Sequence, residues 1–138
     1  MLPDDLEIST DPARIDLDLV HRFLSTSYWA EGRTRDVVER SMANSICFGA
    51  YTNGRQIGFG RVVTDRAVFG YLADIFVLPE FRGAGVGKRL VRAMLEHPDV
   101  ARLNSVQLRT RDAHGLYKLF GFVPIANADE MMVRYRDR

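Results

Sequence analysis

Asp74-Ile75-Phe76-Val77-Leu78-Pro79-Glu80-Phe81-Arg82-Gly83-Ala84-Gly85-Val86-Gly87-Lys88 runs from an apolar strand through a glycine-rich turn into a helix. Pro79 ends the strand, because proline brings no N–H to a ladder. Gly83, Gly85 and Gly87 let the main chain approach a ligand with no Cβ in the way. The first N–H groups of the following helix lack partners within it and point outward as donors. Arg82 and Lys88 add positive charge beside them. Strand, glycine turn and helix N-terminus in this order form a main-chain cradle for a phosphate-bearing ligand.

Two common phosphate patterns fail on this stretch. A P-loop ending at Gly87-Lys88 would need its first glycine at Arg82 and a Ser or Thr at Arg89. A dinucleotide fingerprint opening on Gly83 and Gly85 would need its third glycine at Lys88. Too little chain follows for a doubly wound domain. What is left is Arg82-Gly83-Ala84-Gly85-Val86-Gly87, placed after Val77-Leu78-Pro79. This resembles the [QR]-x-x-G-x-G acetyl-CoA signature of the GNAT N-acetyltransferase superfamily. Downstream, Leu116-Tyr117-Lys118-Leu119-Phe120-Gly121-Phe122 is similar to the family's Leu-Tyr-x-x-x-Gly-Phe segment.

Working outward, Leu6-Glu7-Ile8 reads as a short first strand and Asp11-Pro12 as a capped helix start. Leu19 and Phe23, and Val20 and Leu24, recur at four-residue spacing on one helix face. A second helix is expected from about Thr34 to Asn44. Asn53-Gly54 predicts a tight hairpin between strands Ile46–Thr52 and Arg55–Thr64. Val68–Leu78 is the next strand. In the helix after the glycine turn, Val86, Leu90, Val91, Met94 and Leu95 fall on one arc, and Pro98 stops it. Ser105–Thr110 reads as a strand, Asp112–Phe120 as a short helix with Gly121 just past its end, and Met131–Tyr135 as a last strand, with a further one near Phe122–Ile125. The fold class is α/β with a mixed sheet. The resemblance implies a GNAT-type acyl-CoA N-acyltransferase fold, a central, mostly antiparallel sheet with splayed strands flanked by helices, and one domain over residues 1–138.

Composition sets the outer limits. The chain has 138 residues, 46% of them hydrophobic and 27% charged, with 19 basic against 18 acidic side chains. These values suit one globular core and give no footprint for nucleic acid. No apolar run approaches the roughly 20 residues needed to span a bilayer, so no membrane partner is expected. The N-terminus has no basic and apolar leader pattern. Cys47 is the one cysteine. A reducing, cytoplasmic setting is the expectation.

The resemblance also implies a chemistry: transfer of an acetyl group from acetyl-CoA to a primary amine of a small molecule or peptide, by direct attack and without metal. The main-chain N–H groups of Gly83, Gly85, Val86, Gly87 and Lys88 would bind the diphosphate, with Arg82 beside it. Ile75, Phe76 and Val77 would pair through their main chain with the pantetheine arm, and an N–H near Phe76 or Val77 would face the thioester carbonyl. Tyr117 would protonate the departing thiolate; a phenol with a pKa of about 10 holds its proton at neutral pH. Where many relatives carry an asparagine, this chain has Thr110. For the general base the residues leave several readings open: Asp74, unless it is a structural aspartate paired with an arginine; His21, Glu31 or His114; or a water chain. Tyr28, Trp29 and Glu31 are the expected acceptor-side residues, with Arg33 and Arg35 near them. GNAT domains often pair, which makes a homodimer an expectation. A non-catalytic sensor of CoA or its esters is the alternative function, and a nucleotide-binding protein of another fold a third.

Overall fold

The computed structural model describes residues 2–136. In chain order the elements are β1 (Glu7–Ser9), α1 (Leu17–Ser25), α2 (Arg35–Ala43), β2 (Ile46–Thr52), β3 (Arg55–Thr64), β4 (Phe69–Val77), α3 (Val86–Glu96), α4 (Pro98–Ala101), β5 (Ser105–Gln107) and α5 (His114–Lys118). The five strands form one sheet in the order β1-β2-β3-β4-β5, antiparallel except for the parallel β4–β5 pair. The fold is the mixed α/β architecture expected from the sequence.

Local chemistry explains most of the boundaries. Asp11-Pro12 opens only a single 3-10 turn; α1 itself starts five residues later, where Asp16 accepts from the Leu19 N–H. Thr34 caps α2 in the same way through Val37. Asn53 and Gly54 take φ of 52° and 73°, the paired left-handed values of a type I′ hairpin. Pro98 ends α3 and opens α4.

The sheet separates two cores. On one face Val20 and Leu24 of α1 and Val38 of α2 pack on Phe59 and Phe76. On the other, Leu90 and Met94 of α3 pack on Val62 and Leu72. Leu72 and Phe76 are four residues apart on one strand and should share a face. They do not, because β4 carries a bulge. Phe59 pairs with Phe76 and Arg61 with Ala73, so Gly60 alone opposes both Asp74 and Ile75. Asp74 sits at φ 56°, in the left-handed region that aspartate tolerates better than most residues. At Gly60 a Cβ would lie 2.8 Å from Met94 Sδ, so glycine there lets α3 close onto the bulged sheet.

β5 is shorter than expected. It pairs with β4 at Phe69↔Ser105, Gly70↔Val106 and Tyr71↔Gln107 and then diverges. Beyond Tyr71 the outer edge of β4 has no strand partner among the described residues, and the two strands splay. The expected strands at Phe122–Ile125 and Met131–Tyr135 do not form; apart from turns and one 3-10 turn at Ala128–Glu130, residues 122–136 hold no regular structure. Alternation in Met131–Tyr135 needs a ladder to act on, and β5 stops after three residues.

Candidate active site

The splay opens a cleft of about 970 Å³ between β4 and residues 108–113, walled on one side by the α1–α2 connection and closed near Tyr117 of α5. Of the residues singled out in the sequence, Tyr28, Trp29, Arg33, Asp74, Ile75, Phe76, Arg82, Thr110 and Tyr117 line it. Val77 and the glycine turn adjoin the end where Arg82 stands, with Arg82 Nε donating to the Val77 carbonyl at 2.9 Å.

The Leu78 N–H donates to the Ile57 carbonyl, and the Phe76 carbonyl lies on the Gly58 side. By alternation the main-chain groups of Val77 therefore turn to the cleft edge, where its carbonyl accepts from Arg82. Of the two expected oxyanion donors, Val77 has its N–H on the open side. The Phe76 side chain packs instead, stacked on Phe23 with centroids 4.0 Å apart.

At the turn, Gly83 and Gly85 have φ of 82° and 92°, values that only glycine adopts without strain. The first N–H of this region to find a main-chain acceptor is that of Arg89, which donates to Gly85. Among the described residues the six amides from Gly83 to Lys88 have no acceptor, and α3 has no side-chain cap. A Cβ built at Gly83 would meet nothing within 4 Å. Val86 is buried by its side chain and offers only its backbone. A run of open amides at a helix N-terminus, beside Arg82 and exposed Lys88, fits the diphosphate of a nucleotide-type co-substrate.

Asp74 sits deep in the cleft wall, and its carboxylate is fully engaged. Oδ1 accepts from Trp29 Nε1 at 2.9 Å, and Oδ2 accepts from Arg33 Nη1 at 2.8 Å and Arg61 Nε at 2.7 Å. Arg61 also donates to Ser45 Oγ at 3.0 Å. Burial alone would raise the Asp74 pKa; the Arg61 bond and charge, the Arg33 charge and the Trp29 bond outweigh it and hold the group below the usual carboxylate range. Of the two readings open in the sequence, the aspartate paired with arginine is the one observed. Such a carboxylate is a poor proton acceptor.

The other expected bases lie elsewhere. His21, His114 and Glu31 do not line the cleft, and Glu31 and His114 are exposed. Of Tyr28, Trp29 and Glu31, the first two line the cleft. Arg33 is bound to Asp74 and Arg35 to Asp18. The remaining carboxylate on the lining is Asp112, at the α5 end. Thr110 does line the cleft, and its hydroxyl oxygen accepts from the Ala113 N–H at 3.0 Å, just ahead of α5.

Tyr117 is buried against Phe122, with ring centroids 5.8 Å apart. Its hydroxyl has no hydrogen-bond partner among the described residues and opens into the cleft. Burial first, then the nearby Tyr28 and Asp112, raise its pKa above the ordinary phenol value. Cys47 is buried and does not line the cleft, and desolvation pushes its thiol up to about 11. The sequence reading missed Arg61, Arg109 and Arg111, which also line the cleft. No local pattern marks them, since β3 and the 108–113 segment meet the site only through the fold.

The family model for the acetyltransferase (GNAT) domain matches residues 43–124, a span that holds the glycine turn, the diverging β4–β5 pair and Tyr117. The chain belongs to the GNAT acetyltransferase family. A provisionally named acetyltransferase from Gibberella zeae is 32% identical, matching 82% of this chain and 76% of its own. A crystal structure of a provisionally assigned GNAT-family acetyltransferase from Xanthomonas campestris pv. campestris superposes with a TM-score of 0.93 at 43% identity, covering 96% of this chain and 94% of that one. A provisionally assigned acetyltransferase from Clostridium acetobutylicum, solved with acetyl-CoA, shares the fold at a TM-score of 0.68 and 13% identity, covering 88% of this chain and 92% of that one. Among the described residues no helix is long and apolar enough to cross a membrane, and no group of three or more His, Cys, Asp or Glu residues converges on a metal-sized site.

Proposed function

We propose that the protein is an N-acetyltransferase that moves an acetyl group from acetyl-CoA to a primary amine by direct attack. The observation that carries this reading is the continuity of two features: six unengaged amides at residues 83–88 and, one arginine away, an unpaired edge of β4 facing the buried hydroxyl of Tyr117. The co-substrate supplies the activated acetyl thioester. The glycine turn holds its diphosphate, and the edge of β4 at Ile75 and Val77, which has no strand partner among the described residues, aligns its arm. The Val77 N–H stands on the open side to stabilise negative charge on the carbonyl oxygen. As the C–N bond forms and the C–S bond breaks, the Tyr117 hydroxyl gives a proton to the leaving sulfur.

The amine must arrive without its proton, and Asp74 does not take it. Asp112 or solvent entering the open cleft receives it. The rate is then expected to rise with pH towards the pKa of the acceptor, about 8 for an α-amine and about 10.4 for a lysine-like amine. A sensor that binds acetyl-CoA without turnover is the competing reading, and Tyr117→Phe separates the two. For an enzyme, kcat is expected to fall about 100-fold with the Kd for acetyl-CoA unchanged. Mass spectrometry of products from an amine, amino-acid and peptide panel, run on wild type and Tyr117→Phe, makes the decision. A wild type that binds acetyl-CoA but acetylates nothing in the panel would favour the sensor.

A further inference from the structure

The charges in the cleft are not balanced. Asp74 offsets Arg33 and Arg61 only in part, and Arg109 and Arg111 have no carboxylate partner among the described residues. The Arg111 guanidinium lies 3.7 Å from the Tyr28 ring centroid. Stacking on a phenol fixes the guanidinium plane while its N–H edges stay free to donate, a geometry suited to bidentate capture of an oxyanion.

Register shows which side of the sheet this fork serves. Tyr71 pairs with Gln107 in parallel register, and beyond the end of β5 Arg109 and Arg111 line the same cleft as Tyr71. The face of Tyr71 is opposite Leu72, which packs on α3, and so it is the face of Tyr28 and Trp29. A diphosphate at the glycine turn belongs to the other end of the cleft and leaves these arginines unused.

Resting on the acetyl-transfer reading above, we propose that the acceptor is a primary amine carrying its own oxyanion, a carboxylate or a phosphate monoester, and that Arg111, stacked on Tyr28, receives that oxyanion with Arg109 in support. The placement of the carboxylates agrees. Glu31, which would have drawn a second ammonium, is outside the cleft, and Asp112 is the one lining carboxylate not already held by arginines. A polyamine or a lysine-rich peptide would enter a field of like charge.

Trp29 is the chain's one tryptophan and lines the cleft, so its fluorescence reports acceptor binding directly. The experiment titrates CoA-saturated full-length protein with two matched pairs: an amino acid against its decarboxylated amine, and an amino sugar against its phosphate monoester. In at least one pair the oxyanion-bearing member is expected to bind about tenfold tighter or better. The pair that shows this preference tells carboxylate from phosphate. Arg111→Ala is expected to bring the preference to within about twofold and Arg111→Lys to keep part of it, both with unchanged CoA affinity. Neutral members binding as well as the anionic ones in both pairs would overturn the proposal, as would Arg111→Ala retaining the preference, or CoA-loaded protein binding no member. A separate CoA-release assay distinguishes the two failures. Fast acetylation of amines without an oxyanion sinks this inference and leaves acetyl transfer standing; absence of CoA binding sinks both.

Discussion

At the glycine turn the chain presents main chain to the cleft, and at the opposite end it presents side chains. The turn is built from seven consecutive residues, and glycine at 83 and 85 takes φ values that other residues avoid. The other end gathers Tyr28 and Trp29 from the α1–α2 connection, Arg61 from β3, Asp74 from the β4 bulge and Arg111 from beyond β5. One end depends on backbone geometry and follows from local sequence. The other depends on long-range packing and exists only when the sheet is assembled. Damage to the two ends should therefore differ in kind: loss of ligand at the turn, loss of fold or of acceptor choice opposite it.

The sharpest way to break this contrast is Asp74→Ala. The carboxylate is only 3% exposed and holds Arg61 and Arg33, themselves 14% and 24% exposed. Removing it leaves two arginines and the Trp29 N–H without their acceptor. A loss of about 3–5 kcal/mol in urea melts is expected, as for breaking a buried pair. A loss near zero would mean that the cluster does not anchor β4 to α1–α2.

A smaller effect follows from pH. Asp74 holds its proton less tightly when folded, so its stabilising contribution is complete above its ordinary value of 3.8 and is lost as pH falls through the lower folded value. The gap in melting temperature between wild type and Asp74→Asn is expected to be flat from neutral pH down to about 4 and to close below it. A gap that closes near pH 6 would point to another group. The raised Tyr117 pKa keeps the phenol protonated through the alkaline range in which the acceptor amine loses its proton, so no fall in kcat from this residue is expected below about pH 10. The smallest expected effect is that of Cys47→Ala, which should leave kcat within about twofold, since a thiol with a pKa of about 11 is protonated at neutral pH. Loss of turnover in that variant would reopen the question of a covalent intermediate.

The same contrast explains what was legible beforehand. The turn, Tyr117 and the Asn53-Gly54 hairpin each carry their constraint in neighbouring residues, and their fold positions could be read directly. The Thr34 and Asn44 limits of α2 follow from capping chemistry and were equally open to reading. The β4 bulge was not legible, because it is defined against Gly60 on another strand. Without it the face of Asp74 had to stay open, and a base and an ion-paired carboxylate looked alike. The early end of β5 and the missing last strand arise the same way: alternation shows what a segment would do in a ladder, not whether an edge is there to receive it. Glu31 was grouped with Tyr28 and Trp29 by adjacency alone, and the connection between the helices turns it to solvent.

The central claim is that the amides of residues 83–88 hold a diphosphate, and calorimetry can test it directly by comparing CoA, dephospho-CoA and pantetheine on wild type and Gly85→Val. CoA and dephospho-CoA, which both keep the diphosphate, are expected to bind about 100-fold more tightly than pantetheine, and Gly85→Val to erase that advantage while the protein stays folded. Equal affinity for all three ligands in the wild type, or an advantage that survives Gly85→Val, would contradict it.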